Sequence, residues 1–359
     1  MAPKTTAQKM YCTRHCESAK ELLNELEKLV DTSATSADSS VAPDWVFRGE
    51  RDAAWSLQPT VWRGKFDIKQ VWPNFWEQAE TYSSTFIKES TSIYRKSVRA
   101  QSLPPEELER KLQSHQHALT HSVAELMALC RFSEELNDIG LTVARPVRFS
   151  DVQSQISDYT VCHSLNMIRN HLFWPLDQEL INGHFAGNLS LQYLLEISCI
   201  ARHYEFPSRL LDVTSDIRIA AFWAAWSHKQ FSVEHKPNSN SCLSILAIDL
   251  KSVRNNASHE IGVVEGTRMH NPFMHAQDGL FLFRRFAESY YTIHNKWPDL
   301  QEVLPDNNVI KFSLSTDHVD DLLQMISNRR IYLPRLMPYP GKIVEMMNTL
   351  WKKPPATIE

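Results

Sequence analysis

The chain has 359 residues, 43% hydrophobic and 22% charged, a balance that suits one large globular core or two ordinary ones and excludes a disordered chain. Its formal charge of −4 and pI near 6.4 exclude a whole-protein basic field, so any nucleic-acid contact needs a local patch. No apolar run approaches the roughly 20 residues that span a bilayer, and Met1 to Lys20 lacks the apolar segment of a secretory signal, so the expectation is a cytoplasmic protein with no membrane contact.

The six cysteines (12, 16, 130, 162, 199 and 242) are too sparse for a disulfide framework and fit a reducing compartment. Cys12 and Cys16 flank His15 and Cys162 adjoins His163, but neither group has the paired Cys-x-x-Cys spacing of a structural zinc site, and no metal is expected.

In chain order, Ser18–Val30 places Leu22, Leu23, Leu26 and Leu29 on one face and predicts an amphipathic helix, followed by a Ser/Thr/Ala-rich loop over Asp31–Val41. Trp45-Val46-Phe47 predicts a short buried strand that opens into a turn at Arg48-Gly49. Trp72–Ser90, Pro105–Asn137 and Leu189–His203 read as helices, the last ending before Pro207. Asp216–Ser227 mixes small and aromatic residues, the pattern of a helix packed closely on something flat, with Ser215 or Asp216 as its N-cap. Strands are predicted over Cys242–Leu250, Gly279–Phe283 and Val309–Leu314, and helices over Asp317–Asn328 and Lys342–Trp351. Few strands between long helices predict an α+β fold with a large helical insertion.

Three segments gather polar residues in apolar settings. In Trp45–Arg63, an arginine ending an apolar strand needs an anionic partner, and Gly49 permits an unusual backbone angle or a close ligand approach. Arg48 therefore meets either a phosphate or ribose oxygen, or a buried carboxylate such as Asp212. In His203–Trp223, the residues His203, Tyr204, Arg209, Asp212, Thr214 and Ser215 crowd before a helix start, whose free N–H groups suit an anionic or polyhydroxyl ligand; the bland alternative is a cap plus an Arg209–Asp212 pair. In His270–Phe283, Gln277 and Asp278 precede Gly279, either facing a cleft or forming an Asp-Gly hairpin turn.

These segments carry a resemblance. Trp45–Arg63 resembles the opening block of FRG domains, named for Phe-Arg-Gly: Phe47-Arg48-Gly49, a following tryptophan, then Leu57, Pro59 and Arg63. His203–Ala221 is similar to the second block, a His-Tyr pair, a proline, an Arg-Leu-Leu-Asp core and a Thr-Ser; Glu205 stands where glycine is usual, Ser208 where threonine is, and Val213 where an aromatic is common. Gln277–Phe281 resembles the third block and Arg330–Met337 the closing one. The resemblance implies an N-terminal helix and loop over 1–40, an FRG domain over 41–350 with a helical insertion at about 66–190, and a tail over 351–359.

The block order is similar to that of ADP-ribosyltransferases of the Arg-Ser-Glu type, which implies a small mixed sheet with helical insertions and NAD as substrate. By that likeness Arg48, with Gly49, meets the NAD phosphates or ribose, and His203, Tyr204, Arg209, Asp212, Thr214 and Ser215 belong to the binding site. Gln277 takes the catalytic position, where an amide orients a hydroxyl but supplies no negative charge, which Asp278 or Asp212 would have to provide. The implied activity is transfer to a protein or nucleic acid, in a toxin or antiviral-defence setting with an antitoxin or regulatory partner. The alternative is a non-catalytic nucleotide-sensing or protein-interaction module.

Overall fold

The computed structural model describes residues 12–34, 44–64, 66–95, 104–141, 197–234, 241–255, 260–266, 271–285, 287–304 and 309–351. Cys12–Cys16 (β1), Trp45–Glu50 (β2), Leu211–Thr214 (β3), Cys242–Asp249 (β4), Ile261–Val264 (β5), Gly279–Arg284 (β6) and Val309–Ser315 (β7) form one sheet in the order β1-β7-β4-β2-β3-β6-β5. β1 runs parallel to β7 and every other neighbouring pair is antiparallel. The protein is therefore α+β with a mixed sheet.

The helices that matter to the site are α1 (Ala19–Ala34), α2 (Pro73–Arg95), α3 (Pro105–Asp138), α4 (197–203), α5 (Ile217–Glu234), α6 (Pro272–Gln277), α7 (Ala287–His294), α8 (Val319–Ser327) and α9 (Leu333–Leu336). Of the helix predicted over 189–203, residues 189–196 lie outside the described residues, as does 142–190 of the predicted insertion. No described helix is long and apolar enough to cross a membrane.

β4 is buried along nearly its whole length, which is why its sequence reads as a near-continuous aliphatic run. One sheet face packs against α1, α5 and α8 through Leu22, Leu26, Phe47, Ala224, Ile245 and Leu322. The other buries Val46, Leu57, Leu246, Ile248 and Leu282. α2, α3 and α4 close a separate cluster around Trp76, Val123, Leu126 and Ile197. Residues 12–34 share the main core: β1 extends the sheet, and Ser18 caps α1 by accepting from the Glu21 N–H at 3.2 Å.

Two local expectations are corrected. Arg48 and Gly49 lie inside β2, paired with Leu246 and Ile245, not in a turn. Asp278-Gly279 is not a hairpin: Pro272 starts α6 under an Asn271 cap, and Asp278 ends it in a left-handed conformation (φ 46°) before Gly279 opens β6.

Gly49 answers to packing. A Cβ there would sit 1.9 Å from the Ala220 carbonyl oxygen and 2.8 Å from the Ala224 nitrogen, so the α5 backbone rests directly on β2. The close approach predicted for Gly49 is thus made by a helix. α5 is capped by Asp216, whose Oδ1 accepts from the Arg218 N–H at 2.8 Å.

Candidate functional site

β2, β3 and α5, with the ends of α4, α6 and α9, surround an open cleft of about 550 Å³. Its long wall is one side of α5, where Ile219, Ala220, Trp223, Ser227 and Gln230 recur at helical spacing. Arg48, Gly49, His203, Asp212, Thr214 and Gln277, drawn from all three segments singled out in the sequence, line it together.

Arg48 and Glu50 lie two residues apart and so on the same face of β2. Arg48 Nε donates to Glu50 Oε1 at 2.6 Å and Nη1 to the Asp212 carbonyl at 2.7 Å, with Asp212 Oδ2 at 3.7 Å. Burial works against its charge, but Glu50 and Asp212 outweigh burial and hold the Arg48 pKa above the ordinary guanidinium value. Asp212, whose side chain is 35% exposed, also takes Arg202 Nη2 on Oδ2 at 2.7 Å. Burial alone would raise its carboxyl; Arg202, then Arg48, overcome that and leave it below the usual carboxylate range. The cleft therefore contains an ionised carboxylate held by two arginines.

β3 meets β6 with Thr214 opposite Gly279, which brings the second and third segments together. Thr214 Oγ1 donates to the Gln277 carbonyl at 2.7 Å, and Gln277 Nε2 donates to the Leu336 carbonyl at 3.2 Å. Ser215 and Asp278 stand beside the cleft rather than in its lining, joined by a 2.7 Å bond from Ser215 Oγ to Asp278 Oδ2. His203 is nine-tenths buried, its ring stacked on Phe273 at 5.6 Å, and Nε2 has no hydrogen-bond partner among the described residues. Burial pushes its pKa down to about 4, so the imidazole is neutral near pH 7. Tyr204 is about half exposed and packs edge-on to Phe273 outside the lining.

Arg209 leaves the group. It neither meets a ligand in the cleft nor pairs with Asp212: it binds Glu125 at 2.8 Å and Glu288 at 3.0 Å, tying α3 to α7 in a buried network.

Other lining residues were missed as site residues: Glu50, Arg51, Trp55, Arg202 and Trp223, with Arg63 seen only as part of a motif. Arg63 donates through Nε to the Gln58 carbonyl at 2.7 Å, and its Nη2 reaches Glu50 only at 3.9 Å. Its side chain is 31% exposed, and burial followed by the neighbouring Arg48 lowers its pKa. An arginine destabilised by other arginines is a place where an anion is welcome. All six lie in or next to the polar-rich segments, so proximity to those motifs was the available signal.

Comparison with family models, curated proteins and solved structures gave no match. Fold and site define an α+β protein whose sheet carries an arginine-lined, ligand-sized cleft.

Proposed function

We propose that the cleft binds NAD and that the protein is an ADP-ribosyltransferase-like enzyme modifying a protein or nucleic acid, in a toxin or antiviral-defence setting. The observation that carries this is convergence: Arg48-Gly49, Asp212–Thr214 and Gln277 line one cleft although 164 residues separate Arg48 from Asp212. Backbone conformation adds support, since Glu205, at the position where FRG domains usually have glycine, adopts φ 63°. The volume suits a nucleotide, and Arg63 and Arg202 offer guanidinium groups for phosphate oxygens.

In this mechanism the bond from the ribose anomeric carbon to the nicotinamide nitrogen breaks, and its electron pair leaves with nicotinamide. The acceptor nucleophile bonds to that carbon and gives its proton to water. Asp212, not Asp278, is the carboxylate suited to face the developing ribosyl cation, because it lines the cleft and stays ionised. Neutral His203 is suited to a ligand hydroxyl. Gln277 orients a hydroxyl through its amide.

A non-catalytic nucleotide-sensing module is the second reading, favoured by two observations. The Gln277 amide already donates to Leu336, and Asp212 is neutralised by two arginines. Incubating the protein with labelled NAD and cell lysate separates the two: the enzyme releases nicotinamide and labels a macromolecule. If neither wild type nor Gln277→Glu does so, the binding module stands instead.

A further inference from the structure

We propose that the far end of the cleft is the acceptor subsite and that it takes a single-stranded nucleic acid; this rests on the transferase reading above. The wall formed by α5 runs from Ile219 to Gln230, roughly 16 Å at ~1.5 Å per residue. Thr214 and Gln277 belong to the end near the start of α5, where Thr214 Oγ1 donates to the Gln277 carbonyl and accepts from the Asp216 N–H. Arg51, which follows β2 in the chain, packs on Phe231 next to Gln230 and on Trp55, and so marks the other end of that wall.

That far end is built from flat groups. The Arg51 guanidinium carbon lies 4.3 Å from the Trp55 ring centroid and 4.2 Å from that of Phe231, and Arg63 lies 5.3 Å from the Trp55 ring. Trp55 and Phe231 remain partly exposed. Aromatic and guanidinium planes together are the surface on which a splayed base stacks, while the guanidinium charge attracts its phosphate. Among the described residues three carboxylates lie nearby. Glu50 is turned to Arg48, Glu345 accepts from Gln230 Nε2 at 2.6 Å and is paired with Lys342 at 2.7 Å, and Asp52 accepts from the Ala54 N–H at 2.8 Å. That leaves Arg51 and Arg63 as two cations against Asp52. With a net charge of −4, the attraction is local and selects for this spot.

An extended peptide acceptor is less well served. β2 lies between β4 and β3, and β3 between β2 and β6, so the strands that line the cleft offer no open edge for an added strand. In the transfer a base nitrogen or hydroxyl bonds to the ribose carbon as the nicotinamide bond breaks, and its proton passes to water.

Fluorescence anisotropy with a labelled mixed-sequence single strand of about 12 nucleotides, DNA and RNA in separate arms, tests this on the full chain. Wild type binds the single strand more tightly than the same sequence as a duplex, and binding weakens with salt. Trp55→Ala weakens it about 5- to 150-fold, the range for loss of one stacked base, while Trp55→Phe retains most of it. Arg51→Gln lowers the slope of log affinity against log salt by roughly 0.7. Absence of single-strand binding, indifference to both Trp55→Ala and Arg51→Gln, or preferential capture of an acidic peptide overturns the proposal. A parallel NAD titration of wild type keeps the two ideas apart. Strand binding without NAD binding sinks the transferase reading and leaves the platform; NAD binding without strand binding sinks the platform alone.

Discussion

Arg48→Ala removes the cation that neutralises a buried carboxylate. Glu50 is only 3% exposed, and the substitution takes away its 2.6 Å bond and leaves it to Arg63 at 3.9 Å. The bond to the Asp212 carbonyl, which joins β2 to β3 beside their one register pair of Phe47 and Thr214, goes with it. Breaking a buried pair by removing one partner costs about 3–5 kcal/mol, a large part of the ~5–15 kcal/mol that holds a typical protein folded. Urea unfolding of Arg48→Ala, Glu50→Gln and the double variant measures it. Arg48→Ala should lose about 3–5 kcal/mol. The double variant should be more stable than the sum of the singles by about 1–3 kcal/mol, because a neutral amide in place of the Glu50 carboxylate no longer needs a cation. If Arg48→Ala stays within about 1 kcal/mol of wild type yet loses NAD binding, the ion pair is incidental and Arg48 is a dedicated ligand anchor.

Gly49→Ala should lower stability by about 1–3 kcal/mol or more in the same assay, because its methyl meets the Ala220 carbonyl at 1.9 Å and α5 must lift; a neutral result with lost NAD affinity would return the glycine to the ligand. Burial lowers His203 to about 4 and His121 to about 3, against about 6.5 in the unfolded chain, so the unfolded state binds more protons between these values. Stability should therefore be whole above about pH 6.5 and fall as pH drops toward about 4, and His203→Phe should flatten the fall, read as urea midpoints at about pH 7 and 4.5. Gln277→Glu should keep or raise nicotinamide release yet lower the melting temperature, since the lost Nε2–Leu336 bond is worth about 1 kcal/mol. Gln277→Ala should lower turnover more than NAD affinity, as followed by product release and calorimetry.

Long periodic elements were legible from sequence because many residues vote for each: the helix predicted over Pro105–Asn137 ends at Asp138, and β4, β6 and β7 stand within a residue of their predicted limits. Short or edge elements were not. β1 is exposed at four of its five positions and carries no alternation, while β3 and β5 have four residues each. α6 was hidden by Asp278-Gly279, a strong hairpin signal that here serves as a helix end.

In the site, the three segments were legible because buried polar residues stand out against apolar neighbours. Long-range pairing was not. Arg209 finds Glu125 and Glu288, 84 and 79 residues away, where local proximity suggested Asp212. Glu50, by contrast, could have been found from period-two spacing, which puts it beside Arg48 on the strand.

The most direct test is calorimetric titration of NAD into wild type and Arg63→Gln. Arg63 lines the cleft and is partly exposed. Its replacement gives up one 2.7 Å bond to the Gln58 carbonyl, a stacking contact with Trp55 and a long 3.9 Å approach to Glu50, so the melting temperature is followed beside the titration to separate ligand contact from folding. The expected result is one saturable site in wild type, with affinity about 10- to 100-fold weaker in Arg63→Gln and stability lower by no more than the roughly 1 kcal/mol of the lost Gln58 bond. No heat of binding in wild type, or equal affinity in the two proteins, would contradict the assignment of this cleft to NAD.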